Sequence, residues 1–329
     1  MKYEISITKT TEPKAKPADE SKLGFGKIFT DHMFIMDYSE DLGWHDARIV
    51  PFGPLPIHPA STVLHYGAEI FEGMKAYRQA NGDIAMFRPI ENIRRLNNSA
   101  ERLCLPQIDE EACMDILKTI VELEKDWVPH SEGTSLYLRP YLFGNDPHLG
   151  VHAVKNATFV VICSPVGAYY AEGIKPVKIA IESEDVRAVR GGTGYAKCGG
   201  NYAASLRAGK RAEEKGYTQV LWLDGVERKY IEEVGAMNVM FKIDGTIITP
   251  ALTGSVLPGI TESPAWNCSR AGATMSKNAS SPLTSCSVLP TKADSKKLGV
   301  PVLRLSFLRS VTCPTRAMST KYRTTKSAH

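Results

Sequence analysis

The chain has 329 residues, of which 43% are hydrophobic and 23% are charged, with a formal net charge of +4, and this length suits two domains with separate cores. Its longest apolar runs, such as residues 157–163, are too short to span a bilayer, and the polar first 22 residues lack the apolar core of an export signal. Seven cysteines without a C-x-x-C pair are typical of reduced thiols in the cytoplasm, and the eight scattered histidines show no metal-ligand spacing.

The first half of the chain predicts a mixed α/β domain. A polar extension over residues 1–22 precedes this domain, which covers residues 23–164, and an interdomain linker follows at residues 165–175. Hydrophobic periodicity and turn signals predict strands at 83–87, 135–143 and 157–163 and helices at 89–104 and 109–127. The strand at 157–163 is nearly all apolar, so we expect it to be buried on both faces.

The second half predicts another domain over residues 176–262, and the two together give an α/β fold class with two domains. Its predicted elements are a strand at 177–182, a glycine-rich turn around Lys197, a helix at 201–215, a strand at 219–223 followed by an Asp224-Gly225 turn, and a hairpin of strands 234–241 and 246–249. No internal repeat is present in the sequence.

The turn around Lys197 carries the strongest chemical signal. The run Tyr195-Ala-Lys-Cys-Gly-Gly-Asn-Tyr202 places one lysine beside two glycines, with a tyrosine five residues further on. Lysine amines form Schiff bases with aldehyde cofactors when they are partly desolvated, and glycines allow the backbone to approach a bulky ligand. A solvated surface lysine is the alternative, and the neighbouring residues favour the cofactor lysine.

Seven segments, in this order along the chain, carry a resemblance to a known family. They are residues 23–33 (LGFGKIFTDHM), 65–77 (HYGAEIFEGMKAY), 87–89 (FRP), 137–140 (YLRP), 197–202 (KCGGNY), 233–238 (EVGAMN) and 257–261 (LPGIT). From about Leu23 to Thr261 the chain resembles the fold-type IV pyridoxal-phosphate enzymes, and specifically the branched-chain amino acid aminotransferases. Each segment alone is weak evidence for the family, whereas all seven in this order are strong evidence.

The resemblance implies a role for three residues of the second domain. Lys197 aligns with the Schiff-base lysine, which would also move the proton between the substrate Cα and the cofactor. Glu233 aligns with the carboxylate that keeps the pyridine nitrogen protonated, and Tyr202 aligns with the tyrosine that hydrogen-bonds the phenolic oxygen, with a core tyrosine as its alternative. The adjacent Glu232 is expected to point to the other face of the strand and to be solvated.

The resemblance also implies a phosphate site. Arg88 aligns with the arginine that binds the cofactor phosphate, with an ion pair at a helix start as the alternative. Ile260 and Thr261 would offer backbone N–H groups, and Thr261 its hydroxyl, to the same phosphate at the start of a helix, with a plain N-cap as the alternative for Thr261.

The aromatic residues Tyr66, Phe71, Tyr137 and Tyr169 align with positions that line an apolar substrate pocket in the family, although each alone is equally consistent with an ordinary core position. The resemblance thus implies a cytoplasmic homodimer that uses pyridoxal 5'-phosphate. It would transfer amino groups between leucine, isoleucine or valine and 2-oxoglutarate in a ping-pong cycle, with no nucleic-acid or membrane partner. A D-amino acid transaminase or aminodeoxychorismate lyase of the same superfamily is the alternative enzyme, which the 65–77 motif disfavours. An inactive protein of this fold is the third possibility.

The resemblance ends at about Glu262, where the composition changes. Residues 263–329 contain eleven Lys/Arg and one acid, against 29 Lys/Arg and 35 acids in the preceding part. The family's later Gly-Thr-Gly-Thr-Ala-Ala loop is absent. However, the codons for residues 298–311 can be read in another frame, in which the last base of each codon is joined to the first two bases of the next. The genetic code then allows this stretch to encode Trp-Gly-Thr-Gly-Thr-Ala-Ala-Val-Ile-Ser-Pro-Val-Gly.

We therefore interpret residues 263–329 as a frameshifted translation that leaves the cofactor domain incomplete. A basic tail that binds nucleic acid is the rival interpretation. A chain with this tail is expected to have little or no activity, because the missing segment would remove core and half of the phosphate site, while ordering each remaining residue costs about 1–2 kcal/mol of backbone entropy.

Overall fold

The computed structural model describes residues 3–167, 177–243 and 246–261, together with the backbone of two short strands at 275–276 and 302–305. The chain divides into two units, with the boundary between Gly173 and Ile174. Among the residues described, no helix is both long and apolar enough to cross a membrane.

Unit 1 is built on an eight-stranded sheet. Its strands are β1 (Ser6–Ile7), β2 (His32–Ser39), β3 (Gly43–Pro51), β4 (Glu69–Phe71), β5 (Met74–Arg78), β6 (Ile84–Met86), β7 (Ser135–Gly144) and β8 (Asn156–Val166). They are ordered β1-β3-β2-β8-β7-β5-β6, and β4 pairs with β7 as well. All of these pairs are antiparallel except β1 with β3.

The strand predicted at 157–163 is the centre of this sheet. Phe159, Val160 and Val161 have no exposed surface, as expected from the apolar run. The strand extends further than predicted, through Val166, and Pro165 pairs with Leu136 of β7. The start of the predicted linker therefore belongs to the sheet, because a proline near a strand end removes only one ladder hydrogen bond.

The helices of unit 1 are α1 (Thr62–Tyr66), α2 (Pro89–Arg102) and α3 (Glu110–Leu123). Pro89 occupies the first position of α2, and Asp109 caps α3 by accepting from the Ala112 N–H at 2.8 Å. Both helices bury an apolar stripe with helical spacing, which in α2 is Ile93, Leu96 and Ala100. The two helices predicted from periodicity are therefore present, and each ends within a few residues of the expected position.

The polar N-terminal extension packs onto unit 1. Ser6 and Ile7 pair with β3, and the Thr10 N–H donates to His32 Nε2 at 2.9 Å. Further along, the Lys14 N–H donates to Asp31 Oδ1 at 2.8 Å. The extension is polar as predicted, and it continues the sheet by one parallel strand.

The described residues of unit 2 form a four-stranded sheet, a small three-stranded sheet and two helices. Its elements are β9 (Val177–Ile181), α4 (Gly199–Ala203), α5 (Leu206–Glu214), β10 (Gln219–Leu223), β11 (Ile231–Val234), β12 (Phe241–Ile243), β13 (Thr246–Ile248), β14 (Met275–Ser276) and β15 (Val302–Leu305). The larger sheet has the order β11-β10-β9-β15, and β9 runs parallel to β10. Trp222 of β10 is fully buried in its core.

Two predicted elements of unit 2 differ from those observed. The helix predicted at 201–215 is divided into α4 and α5, and Ser205 at the break donates its hydroxyl to the Tyr202 carbonyl oxygen at 2.7 Å. Serine favours such local bonds over a continuing helix. The first strand of the predicted hairpin, expected from residue 234, begins only at Phe241, because the chain leaves β11 at Gly235 with a φ of 58°. The Asp244-Gly245 turn lies outside the described residues.

Candidate active site

Asn201 fixes the loop that precedes Lys197. Its Nδ2 donates to the carbonyl oxygens of Thr193 at 2.8 Å and Ala196 at 2.9 Å, and its Oδ1 accepts from Thr193 Oγ1 at 2.7 Å. A Cβ atom at Gly194 would lie 2.3 Å from a backbone carbonyl oxygen of a neighbouring segment, so only glycine fits at this position. The backbone leading to Lys197 is therefore held in place by a buried amide and a close backbone approach.

Lys197 and Tyr202 contact each other through a hydrogen bond. The Lys197 ammonium donates to Tyr202 Oη at 2.7 Å, and its Nζ lies 5.2 Å from the ring centroid. Both side chains are partly buried, and Lys197 lies in the chain between the buried residues Ala196 and Cys198. A lysine amine that is partly withdrawn from water beside a hydroxyl group is suited to covalent chemistry at a carbonyl carbon.

Glu233 of β11 is buried and has a charged partner that the sequence analysis missed. Its Oε2 lies 3.0 Å from Arg187 Nε, and its Oε1 accepts from the Leu257 N–H at 2.9 Å. Arg187 is itself 9% exposed, and its Nη2 donates to the carbonyl oxygens of Gly194 and Ser255. The arginine thus joins the buried carboxylate to the loop that precedes Lys197.

These residues surround a small cavity within unit 2. Arg187, Tyr202, Glu233 and Leu257 line it, together with Asn201, Ser205, Gly235 and Ala236. Tyr202 and Glu233 line this cavity, and Lys197 is hydrogen-bonded to Tyr202. The structure therefore brings together the three residues of unit 2 that the resemblance assigned to one cofactor site.

Glu232 is buried, contrary to the expectation of a solvated side chain. It is 6% exposed, and its Oε1 accepts from the buried Ser255 hydroxyl. Burial raises the pKa of its carboxyl group. Strand alternation does place Glu232 on the opposite face from Glu233. The prediction of a solvated side chain was wrong because both faces of β11 are covered. Glu232 lines a larger cavity, of about 420 Å³, with Arg190, Asp224 and Tyr230.

Ile260 and Thr261 lie in a turn where the continuous description of the chain ends. Ile260 is partly buried and Thr261 is exposed. The preceding segment is held by Asn238, whose Nδ2 donates to the Leu257 carbonyl oxygen at 2.9 Å. The helix start expected after Thr261 lies outside the described residues, so the phosphate role of both residues stays a prediction.

Arg88 belongs to unit 1, at the start of α2. Its backbone is left-handed, with φ 47° and ψ 47°, and its guanidinium lies 3.6 Å from the carboxylate of Glu91 in the first turn of the helix. The side chain is 34% exposed. This ion pair is the alternative that the sequence left open, and a partly exposed guanidinium remains accessible to an anion.

Two of the four predicted pocket aromatics gather around an arginine in unit 1. The Arg139 guanidinium lies 4.6 Å from the ring centroid of Phe71 and 5.3 Å from that of Tyr137, and its Nη2 donates to Tyr137 Oη at 2.9 Å. Tyr66 lies on α1, 45% exposed, with its ring against His65. Tyr169, the fourth, lies outside the described residues.

A sequence model of the family described as amino-transferase class IV matches residues 69–282, so this match extends past Glu262, where the motif-by-motif resemblance ends. Branched-chain-amino-acid aminotransferase 2 of Bacillus subtilis (strain 168) is 57% identical over 257 residues, which are 78% of this chain and 70% of that protein. Branched-chain-amino-acid transaminase 1 of the same organism is 55% identical over 262 residues, or 79% of this chain and 73% of that protein.

Solved structures show the same similarity. The Escherichia coli branched-chain amino acid aminotransferase matches with a TM-score of 0.64 and 27% identity, over 75% of this chain and 77% of that one. The T.th. branched-chain amino acid aminotransferase with pyridoxamine 5'-phosphate matches with a TM-score of 0.64 and 28% identity, over 76% of this chain and 77% of that one. The α/β architecture predicted from the sequence is therefore that of the fold-type IV aminotransferases.

Proposed function

Since this chain belongs to the class IV aminotransferase family, we propose that it transfers amino groups between the branched-chain L-amino acids leucine, isoleucine and valine and 2-oxoglutarate, in a ping-pong cycle. The relatives named above support the branched-chain substrates. The observation that carries the proposal is the cluster in unit 2. Lys197 Nζ lies 2.7 Å from Tyr202 Oη, and Tyr202 lines the same small cavity as the buried Glu233.

Pyridoxal 5'-phosphate is the cofactor of this family, and the residues of unit 2 fit it by their chemistry. Lys197 supplies an amine for the aldehyde, Tyr202 a hydroxyl for the neighbouring phenolic oxygen, and Glu233 a carboxylate for a protonated pyridine nitrogen. When bound, the pyridine ring supplies a sink for the electron pair that remains when the substrate Cα–H bond breaks. In this proposal Arg88 of unit 1 and the backbone N–H groups of Ile260 and Thr261 hold the phosphate.

The protein groups divide the work of the reaction in a way that follows from their surroundings. Lys197 would hold the cofactor through its amine, and the same amine would take the proton from the substrate Cα. Tyr202 orients the lysine amine through the 2.7 Å hydrogen bond. Arg187, whose Nε lies 3.0 Å from Glu233 Oε2, would hold in place the carboxylate that pairs with the ring nitrogen.

The aromatic cluster of unit 1 suits the two kinds of substrate. Phe71 and Tyr137, with Tyr66 and Tyr169 in the same proposed role, would contact an apolar side chain. Arg139, held against both Phe71 and Tyr137, is our candidate partner for the second carboxylate of 2-oxoglutarate. The T.th. enzyme has been solved with 4-methylvaleric acid, which has the carbon skeleton of leucine, and with a phosphopyridoxyl adduct of L-glutamate.

The proposal is tested by locating the covalent cofactor. The full chain is incubated with pyridoxal 5'-phosphate, reduced with borohydride and digested, and the modified peptide is identified by mass spectrometry. We expect modification at Lys197, loss of it and of the visible absorbance band in Lys197→Ala, and no change in Lys210→Ala, where the exposed lysine lies on α5. In the product whose gene is read in the family frame after about Glu262, L-leucine should bleach the band. Bleaching by D-leucine alone would favour the D-amino acid enzyme, and a retained covalent cofactor in Lys197→Ala would refute the assignment.

We also propose that the active product is a cytoplasmic homodimer whose gene is read in another frame after about Glu262. The codon argument for residues 298–311 and the charge change after residue 262 support this frameshift. Resequencing the gene through the codons for residues 257–329 tests it. An extra or missing base near Glu262 would restore the Gly-Thr-Gly-Thr-Ala-Ala loop. Peptides from residues 276–292 in the native protein would contradict a sequencing error.

A further inference from the structure

Glu72 is a fully buried carboxylate in the turn between β4 and β5. It accepts two hydrogen bonds from the Arg95 guanidinium, from Nε at 2.7 Å and from Nη2 at 2.9 Å. It also accepts from Asn92 Nδ2 at 2.8 Å and from the Gly73 N–H at 3.2 Å. Burying the Glu72 carboxylate costs desolvation free energy, which its hydrogen bonds offset. We therefore look for its role in the positions of the groups that it binds.

One part of that geometry is the position of Gly73. Asn92 Nδ2 donates to the Gly73 carbonyl oxygen at 3.2 Å as well, so the peptide groups of the turn are bound on both sides. A Cβ atom at Gly73 would lie 2.0 Å from Tyr137 Oη, which shows that the tyrosine hydroxyl rests directly against this backbone. Arg139 in turn donates to Tyr137 Oη, and Phe71 precedes Glu72 in the chain. The turn therefore sets the position of the aromatic cluster.

The other part is helix α2. Asn92 and Arg95 lie on this helix, about one and two turns after Arg88 at its start. A shift of α2 along its axis would therefore move Arg88 and the two donors to Glu72 together. The same carboxylate thus links the predicted phosphate arginine to the predicted amino-acid pocket, all within unit 1.

We propose that Glu72 is a positioning residue, whose bonds to Asn92 and Arg95 fix Phe71 and Tyr137 relative to Arg88. This inference rests on the proposed function for the identity of the pocket and of the phosphate arginine. It adds a residue that touches neither substrate nor cofactor and acts through the turn and the helix.

The test uses Glu72→Gln, in the full chain for hydrogen–deuterium exchange and in the product read in the family frame after about Glu262 for kinetics. This variant keeps the size of the side chain and turns one acceptor oxygen into an amide N–H₂ facing Arg95 and Asn92. We expect the KM for L-leucine in the half-reaction to rise about 10- to 100-fold with a smaller change in maximal rate, because a misplacement of about 1 Å costs up to about 100-fold. Hydrogen–deuterium exchange should become faster in the peptides that contain residues 71–74 and 88–92.

Two further variants make the result decisive. Glu110→Gln breaks the exposed ion pair of Arg94 Nε with Glu110, 3.0 Å apart, on the same helix as Asn92 and Arg95, and should change neither measurement. Glu72→Asp keeps the charge and withdraws it by one methylene, so it should fold if Glu72→Gln does not, and should still raise the KM.

Unchanged exchange in residues 71–74 and 88–92 would overturn the inference, as would faster exchange with an unchanged KM. A loaded wild-type product read in the family frame that L-leucine leaves unbleached would instead count against the proposed function, and the exchange measurement on the full chain would still decide the role of Glu72.

Discussion

Replacing Arg187 by methionine is expected to destabilise unit 2 by about 3–5 kcal/mol, which is the usual cost of removing one partner from a buried ion pair. Methionine keeps the length and apolar volume of the side chain and removes its charge. The Glu233 side chain is 4% exposed and that of Arg187 is 8% exposed, so water does not replace the lost guanidinium. The substitution also removes the donor to the carbonyl oxygens of Gly194 and Ser255.

The assay is chemical unfolding of the full chain, followed by tryptophan fluorescence. Trp222 reports on unit 2, because it is fully buried in β10 and its Nε1 donates to the Gly235 carbonyl oxygen, 2.9 Å away, just after β11. The double variant Arg187→Met/Glu233→Gln removes both charges and should recover most of the loss, since a neutral pair carries little desolvation cost.

The control is Arg207→Met, which breaks an ion pair to Asp185 in the same unit with an arginine side chain that is 74% exposed. It should have a much smaller effect, because solvent screens exposed pairs. A loss below about 1 kcal/mol in Arg187→Met, or a double variant no more stable than the single one, would refute a buried and strongly coupled pair.

Two further predictions concern the neighbours of this pair. Burial raises the pKa of Glu232 above its ordinary value of 4.5, so its contribution to the free energy of unfolding is present below pH 4.5 and is lost as the pH rises through the folded-state pKa. Glu232→Gln should therefore lessen the decline of stability with rising pH in unfolding curves, and an unchanged slope would count against this. Gly194→Ala should cost about 1–3 kcal/mol, since its Cβ would meet the Ser255 carbonyl oxygen at 2.3 Å. Gly209→Ala on α5, where a Cβ meets nothing within 4 Å, should instead add about 0.5–1 kcal/mol by thermal unfolding, and equal effects would contradict the packing argument.

Local spacing explains what the sequence could predict about the site. Lys197 and Tyr202 are five residues apart, and the glycines between them start the short helix that brings both side chains together. Arg187 lies 46 residues before Glu233, and no pattern in either segment identifies the two as partners. Their contact depends on how β11 and the loop before Lys197 pack, which the sequence pattern alone does not specify.

The errors have a similar cause. Alternation along β11 correctly assigned Glu232 and Glu233 to opposite faces, and only the packing shows that both faces are covered. The same applies to the aromatic residues of unit 1. Phe71 and Tyr137 meet around Arg139 because β4 and β5 both pair with β7. Tyr66 is much nearer to Phe71 in the sequence, yet its side chain on α1 is exposed.

The hydrogen bonds within the site show which of its residues depend only on the segment before Glu262, where the proposed change of frame begins. Leu257 is bound to Glu233 and to Asn238, and Ser255 is bound to Arg187, so the segment before Glu262 already supports the lysine and the carboxylate. The groups proposed for the aldehyde and the pyridine nitrogen therefore depend only on residues read in the family frame. The proposed phosphate site would also need the family's Gly-Thr-Gly-Thr-Ala-Ala loop, which residues 263–329 do not contain. The proposed frameshift would therefore leave the groups that attach the cofactor and remove part of those that hold its phosphate.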